Sequence, residues 1–232
     1  MKALHVGVGE ALILTVALIV FTVISFTTLE PVVGRAITDT FIVTQTITDE
    51  ISFFVTANDV SMSPSIAGLT GGTGNGATSF VILSNSLAGY TVDLSFSTTT
   101  AMHGNASSTA VINNYTPASA GVPDYTFAIG GSGTPGEFAY TVTASETPAT
   151  AGIDQSFLND SAACNTGSTS SAGNCWLNPS TTPERIITRS APTGYGTATT
   201  TLSFRVALPS NPNPIIPGDT YTATATLTAL DQ

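Results

Sequence analysis

From Ile37 the chain reads ITDTFIVTQTITDEISFFV, and Ile37, Phe41, Val43, Ile47, Ile51, Phe53 and Val55 all fall on one parity. Thr38, Thr40, Thr44, Thr46, Thr48, Glu50 and Ser52 fall on the other, with Ile42 and Phe54 as exceptions. A two-residue period places one set of side chains on each face of a strand, whereas a helix would scatter both sets around its axis. Threonine, β-branched and half-polar, suits the wet face of such a strand. Fully extended, residues 37–55 would reach about 60 Å, well beyond the usual strand. The segment therefore either bends from one sheet to another near Thr48-Asp49 or projects beyond its domain.

The same period recurs along the chain. Ser79–Leu83 is apolar enough for a buried strand. Tyr90, Val92, Leu94 and Phe96 alternate with Thr91, Asp93 and Ser95, and Asn85–Gly89 before them reads as a hairpin loop. Tyr125–Ile129 and Phe138–Ala144 are expected to pair around GGSGTPGE. Arg185–Arg189 is a short candidate. Thr199–Leu208 places Leu202, Phe204, Val206 and Leu208 on one face, and Thr220–Leu230 alternates Tyr221, Ala223, Ala225, Leu227 and Ala229 against threonines. About nine or ten strands result, with no helix-period segment longer than two turns after residue 36. The expected fold is all-β: an antiparallel β-sandwich with Greek-key or jelly-roll-like connections, preceded by one N-terminal hydrophobic helix. Gly68–Thr78 (GLTGGTGNGAT) and Thr147–Pro183 read as long loops, and the Pro-rich SNPNPIIPGD as a stiff turn.

Residues 1–36 have the parts of an export signal. Lys2 precedes the apolar run Ala11–Phe26, and Gly34 and Ala36 supply small residues for cleavage after Ala36. The apolar run is shorter than the ~20 residues that span a bilayer. Two alternatives stay open: an uncleaved membrane anchor, and the assembly helix of a type IV pilin-like subunit. Glu10 at the head of the run suits the pilin reading. The residue five positions before it is His5, where that pattern has Gly, and cleavage after Gly9 would lack the expected preceding basic residue. The division expected is residues 1–36 as signal peptide or N-terminal membrane or assembly helix, and residues 37–232 as an extracellular β-sandwich domain.

Cys164 and Cys175 are the only cysteines, and both flank the flexible loop CNTGSTSSAGNC. A disulfide between them fits an oxidising compartment. In the chain-entropy picture it contributes roughly 3 kcal/mol for a loop of about a dozen residues. A metal or redox role is disfavoured, because a metal site needs more ligands and His103, the only histidine past residue 36, lies far away in sequence.

Charge excludes some partners. The formal net charge is −10. Past residue 36 the cations are Arg185, Arg189 and Arg205, and the chain's only lysine is Lys2. Phosphate backbones need clusters of Lys and Arg, so no nucleic-acid partner is expected. Membrane contact is expected only through residues 1–36, if they are retained.

Catalytic signatures are weak. His103 sits in a Gly/Asn/Ser/Thr stretch with no nucleophile elbow and reads as a solvated loop histidine. The carboxylate pairs Asp49/Glu50, Asp154/Asp160 and Glu137/Glu146 read as solvating or turn-making groups rather than a glycosidase pair. Gly71–Gly76 (GGTGNG) lacks the Lys-Ser/Thr of a phosphate loop and reads as flexible. No cofactor is expected. Asn58-Asp59 and Asp154 with Asn159-Asp160 offer oxygen ligands for a structural calcium ion, without DxDxDG spacing. Trp176, beside Cys175, is expected to pack on the disulfide rather than present a sugar platform. Asn105, Asn114 and Asn159 head N-x-S/T tripeptides of the kind chance supplies in so Asn-, Ser- and Thr-rich a chain.

The phrases ITDTFIVTQTITDEISF, VSMSPSIAGLTGGTGNGATSFVILSNSLAGYTVDL, NCWLNPSTTPERI and GDTYTATATLTA resemble a group of uncharacterised secreted Thr/Ser-rich β-sandwich surface proteins of uncultivated, small-genome bacteria. The resemblance covers most of residues 37–232 and carries no catalytic residue. A looser similarity is to pilin-like or fimbrial subunits; in the fimbrial ones a neighbour's strand completes each subunit, although their cysteine arrangement is not matched.

The expected function is an extracytoplasmic structural subunit or adhesin-like cell-surface protein able to form filaments with copies of itself, and not an enzyme. A secreted carbohydrate- or protein-binding module is the alternative, and a pilin-like subunit retaining its helix another. Ile37, Phe41, Val43 and Ile47 form the candidate strand-exchange stripe. Each such side chain gains about 1.5–3 kcal/mol on full burial, so the stripe is expected to find cover, in its own sheet or in a neighbour's.

Overall fold

A computed structural model describes residues 37–194 and 198–232. The chain divides into two units, residues 1–46 and Ile47–Gln232. The expected signal or hydrophobic helix lies outside the described residues. Residues 37–46 have no regular secondary structure, and all of them are exposed.

Ten strands are found among the described residues: β1 (Ile51–Val55), β2 (Gly72–Ser84), β3 (Tyr90–Phe96), β4 (Met102–Gly104), β5 (Val111–Asn114), β6 (Glu137–Ala144), β7 (Glu184–Arg189), β8 (Thr199–Leu208), β9 (Tyr221–Thr222) and β10 (Ala225–Asp231). Helical structure there is limited to α1 (Pro148–Ala151) and a 3₁₀ turn at Gln155–Phe157. A seven-stranded sheet runs β1-β2-β8-β6-β5-β4-β9, and a three-stranded sheet runs β10-β3-β7. The pairings are antiparallel except β5 with β6. The all-β expectation holds, and two sheets sharing one apolar core fit a sandwich.

The alternating runs build that core. Tyr90, Val92, Leu94 and Phe96 of β3 are buried, as are Leu202, Phe204, Val206 and Leu208 of β8. Between them Phe96 meets Phe138 edge-on, with ring centroids 6.1 Å apart, and Phe138 stacks on Phe204 at 6.1 Å. Such ring pairs add to burial because edge and face carry opposite partial charge.

Several expectations need correction. The long N-terminal strand shrinks to β1; residues 37–50 are exposed and irregular. Alternation selects which face of a strand is apolar, but a strand also needs a neighbour to bond its N–H and C=O groups. The glycine-rich stretch expected as a flexible loop is instead the first half of β2, paired with β8 from Gly72↔Leu208 to Gly76↔Phe204. Its glycines admit a crossing segment: a Cβ on Gly76 would lie 2.4 Å from Cγ1 of Val60. Asn85–Gly89 is not a hairpin loop, since β2 and β3 belong to different sheets. It is a corner, at which Gly89 has a φ of +89° and sits so close to the Arg189 carbonyl that a Cβ would collide with it. Tyr125–Ile129 forms no strand, and β4 and β5 arise in a stretch expected to be loop. The final strand is broken: β9 pairs with β4 in the larger sheet, and β10 pairs with β3 in the smaller one.

Candidate functional site

The two cysteines are joined, with Cα atoms 5.6 Å apart. Cys175 is buried, and Trp176 beside it is only 1% exposed, so the indole is a packing element and not a sugar platform. It covers Ala139 of β6 and Ala207 of β8 on the outer face of the larger sheet, with Phe127 and Tyr115 completing the cluster. The Arg205 guanidinium lies 4.3 Å from the indole centroid, a cation–π contact. Arg205 also donates to the Asn75 side chain (2.8 Å) and the Phe127 carbonyl (2.9 Å). Burial lowers its pKa from the ordinary arginine range. Burial, followed by a hydrogen bond donated to Asp124, raises that of the Tyr115 phenol.

The other cations are engaged singly. Arg185 pairs with Asp93 on the neighbouring strand, and Arg189 donates to the carbonyls of Ala191 and Pro192. The described residues therefore carry no basic cluster.

His103 is not the solvated loop histidine expected. It lies on β4 and is half-buried, with Nδ1 3.0 Å from the Ser108 carbonyl and Nε2 buried without a partner among the described residues. The acidic loop residues shape turns. Asp154 accepts from the Ser156 N–H and hydroxyl, and Asp160 accepts from the N–H groups of Ala162 and Ala163, which hold its carboxyl below the ordinary range. Asn159 is buried and bonds within the same loop. Among the described residues no group of three or more His, Cys, Asp or Glu is placed to hold a metal ion. Of the three N-x-S/T asparagines only Asn105 is exposed; Asn114 donates its amide to the carbonyls of Thr99 and Pro179.

One recess was not legible in the sequence. Between the edge strands of the two sheets opens a groove of about 1000 Å³. Its floor is core: Leu94, Phe96, Leu202 and Phe204, nearly covered by their neighbours. One wall is Phe53 of β1 and the segment that follows it, with Val60, Met62 and Ile66. This segment is stitched to the glycine-rich half of β2 by reciprocal backbone bonds between Ser63 and Asn75, of 2.9 and 2.8 Å. The opposite wall is the broken C-terminal strand, with Tyr221, Ala223, Ala225 and Leu227. Side chains on both walls are apolar and only partly covered.

β10 bonds to β3 on one side, and β1 bonds to β2, with no further strand beyond either among the described residues. The Thr224 carbonyl and the Gln232 N–H bond toward the β3 side. Backbone groups alternate in direction along a strand, so those of Ala225, Leu227 and Ala229 face away from β3.

The predicted stripe lies elsewhere in the chain and is bare: Ile37 is 94% exposed, Phe41 85%, Val43 82% and Ile47 81%. Ile42, on the other parity, is equally open. The segment is anchored just after the stripe. The Asn85 amide donates to the Thr48 carbonyl (3.0 Å), and its oxygen accepts from the Glu50 N–H (2.6 Å).

No protein-family model matches the chain, and no curated protein is significantly similar to it. Among the described residues no helix is long and apolar enough to cross a membrane.

Proposed function

We propose that this chain is an extracytoplasmic structural subunit, a cell-surface β domain that assembles with copies of itself into a filament or surface layer. One observation carries the reading: the alternating apolar segment Ile37–Ile47 is exposed, in a chain whose β fold carries a disulfide. A monomer gains nothing from such a stripe, since exposed apolar strands are aggregation-prone. A subunit built for assembly needs one. The disulfide supports an oxidising compartment. The resemblance to secreted Thr/Ser-rich surface proteins points the same way, as does the looser similarity to fimbrial subunits. In this reading the fold is a Greek-key or jelly-roll-like sandwich, delivered by an export signal in residues 1–36.

Electron microscopy of the exported native protein tests the proposal, with ordered filaments or sheets as the expected result. Monodisperse single particles at every concentration would sink it. N-terminal sequencing of the same material is expected to begin at Ile37. A start at Val6 or Glu10 would replace the cleaved signal with a retained pilin-like helix, and an intact Met1 would make it an anchor.

The groove supports a second reading, a secreted binding module. Its volume is at the upper end of the range for small-molecule sites. Native mass spectrometry of exported protein would then show a bound apolar molecule, lost on unfolding.

A further inference from the structure

Packed sheets cover one another only as far as the narrower one reaches. Strands in a sheet lie about 4.8 Å apart, so seven strands span roughly 29 Å and three span roughly 10 Å. Much of the larger sheet's inner face must therefore find cover from segments outside the smaller sheet. Residues 57–66 supply it on one side and residues 216–227 on the other, and between them the cover stops, leaving the groove of about 1000 Å³. Ala223 and Ala225 keep the second wall thin. They share a parity with Tyr221 and Leu227, and a larger side chain at either would project into the space. Protein interiors are otherwise packed to crystal-like density.

Resting on the binding-module reading above, we infer that this groove is a binding site for an apolar molecule with an uncharged or cationic polar end, an alcohol or an amine. At about 30 Å³ for each non-hydrogen group, as in a liquid, the groove holds at most roughly 30 such groups.

The ligand's body follows from the floor and walls. Phe96, Leu202 and Phe204 lie beneath it, and Val60, Met62 and Leu227 flank it half-covered, so an apolar occupant removes side chains of both walls from water. Its polar end follows from charge. Among the described residues that line the groove none is Lys, Arg or His, and the charged ones are Asp59 and Asp219. The arginines are engaged elsewhere, Arg185 with Asp93, Arg189 with the carbonyls after β7, and Arg205 with the Trp176 indole. A carboxylate or phosphate on the ligand would meet like charge with no cation to offset it. The two aspartates differ in role. Asp219 fixes the rim, because its carboxylate accepts from the N–H groups of Ala106 (2.9 Å), Ser107 (3.3 Å) and Thr220 (2.7 Å). Asp59 is exposed and accepts no hydrogen bond among the described residues, which leaves it open to a donor from the ligand. The Tyr221 hydroxyl donates to the Pro217 carbonyl (2.9 Å), so its lone pairs also remain available as acceptors.

The test uses exported full-length protein and two fluorescent probes that differ by one charge, N-phenyl-1-naphthylamine and its sulfonate, 8-anilino-1-naphthalenesulfonate. The uncharged amine should bind at least about tenfold more tightly than the sulfonate, because like charges at the rim disfavour the anion. Decylamine should displace it, and decanoate, of equal chain length, should not. Ala225→Trp should abolish binding with an unchanged circular dichroism spectrum. Asp59→Lys, an exposed change that leaves the packing alone, should cut the preference for the amine at least about threefold, an effect that salt screens. Phe41→Ser with Val43→Ser should bind as the wild type does. Equal binding of the two probes, or displacement by decanoate, would overturn the inference and leave the binding-module reading standing. Binding that survives Ala225→Trp but is lost in Phe41→Ser with Val43→Ser would place the probe on the exposed stripe and overturn it. Affinity that falls as protein concentration rises would mean that another copy covers the groove, and would overturn it too. Failure of both probes to bind would sink the inference and the binding-module reading together.

Discussion

Residues 37–47 and residues 221–231 are written in the same code, threonines on one parity and apolar residues on the other, yet they meet opposite fates. The C-terminal segment is a strand because β3 and β4 supply partners for its backbone and the core receives its side chains. The N-terminal segment has the larger side chains, Phe41 and Ile47 against Ala223 and Ala225, and nonetheless stands exposed without a ladder. Hydrophobic pattern thus decides how a segment will pair, and topology decides whether the chain itself provides the pair.

The largest effect should come from placing the same kind of deletion on each side of this contrast. Leu94, buried and opposite Leu227 in the β3–β10 register, should cost about 2–5 kcal/mol when changed to Ala. Phe41→Ala, at an exposed position, should stay within about 0.5 kcal/mol in the single chain. Urea unfolding at low protein concentration measures both. Comparable losses would mean that residues 37–47 belong to the core of the single chain.

Next in size is the disulfide. Cys164→Ala should lower stability by about 3 kcal/mol and leave the fold intact, because the bridge closes a local loop. Non-reducing peptide mapping should recover the linked pair, and two free thiols in exported protein would refute it.

Gly76→Ala sharpens the comparison at the wall of the groove. The new methyl would press on Val60, a side chain able to yield partly, so a loss of about 1–3 kcal/mol is expected, with displacement of the wall. Urea unfolding measures the loss, and an unchanged midpoint would mean that Val60 moves aside freely.

The smallest effect is electrostatic. Burial, followed by repulsion from Asp154 and Asp93, raises the pKa of Glu184. The folded state therefore holds the proton more tightly than the unfolded chain, and stability falls as pH rises from the ordinary glutamate range through the raised folded value. Glu184→Gln should remove that fall, with a gain over wild type that is absent at acid pH, grows through this window and stays below about 1 kcal/mol because the group is largely solvent-screened. A constant difference across pH would assign the effect to packing.

How much of this could be read from the sequence depended on whether the deciding partner was local. β3 and β8 were legible residue for residue, since each has a clean apolar parity that the core accepts in full. The first half of β2 was not: its glycines carry no apolar signal, and their reason, the close approach of Val60, comes from a separate segment. Phe127 gave Tyr125–Ile129 a strand-like look, but its ring goes to Trp176 and Tyr115 on the outer face. The disulfide was legible because only one pairing exists. The apolar stripe of residues 37–47 was legible as a pattern, and the groove was not, because its walls join Phe53–Ile66 to Tyr221–Leu227 across most of the chain.

The Trp176 cluster gives the larger sheet a third layer, and that bears on how this sequence can drift. From Phe138 to Thr143 every residue of β6 is buried, although the written pattern alternates. On one side stand the large rings of the core; on the other Ala139, with Ala207 beside it, lies under the indole, where a bulkier side chain has no room. Substitution should therefore be tolerated along the outward threonines of β10 but on neither face of β6. Distant descendants of this chain would keep small residues at 139 and 207 for as long as they keep the tryptophan, and would lose all three together.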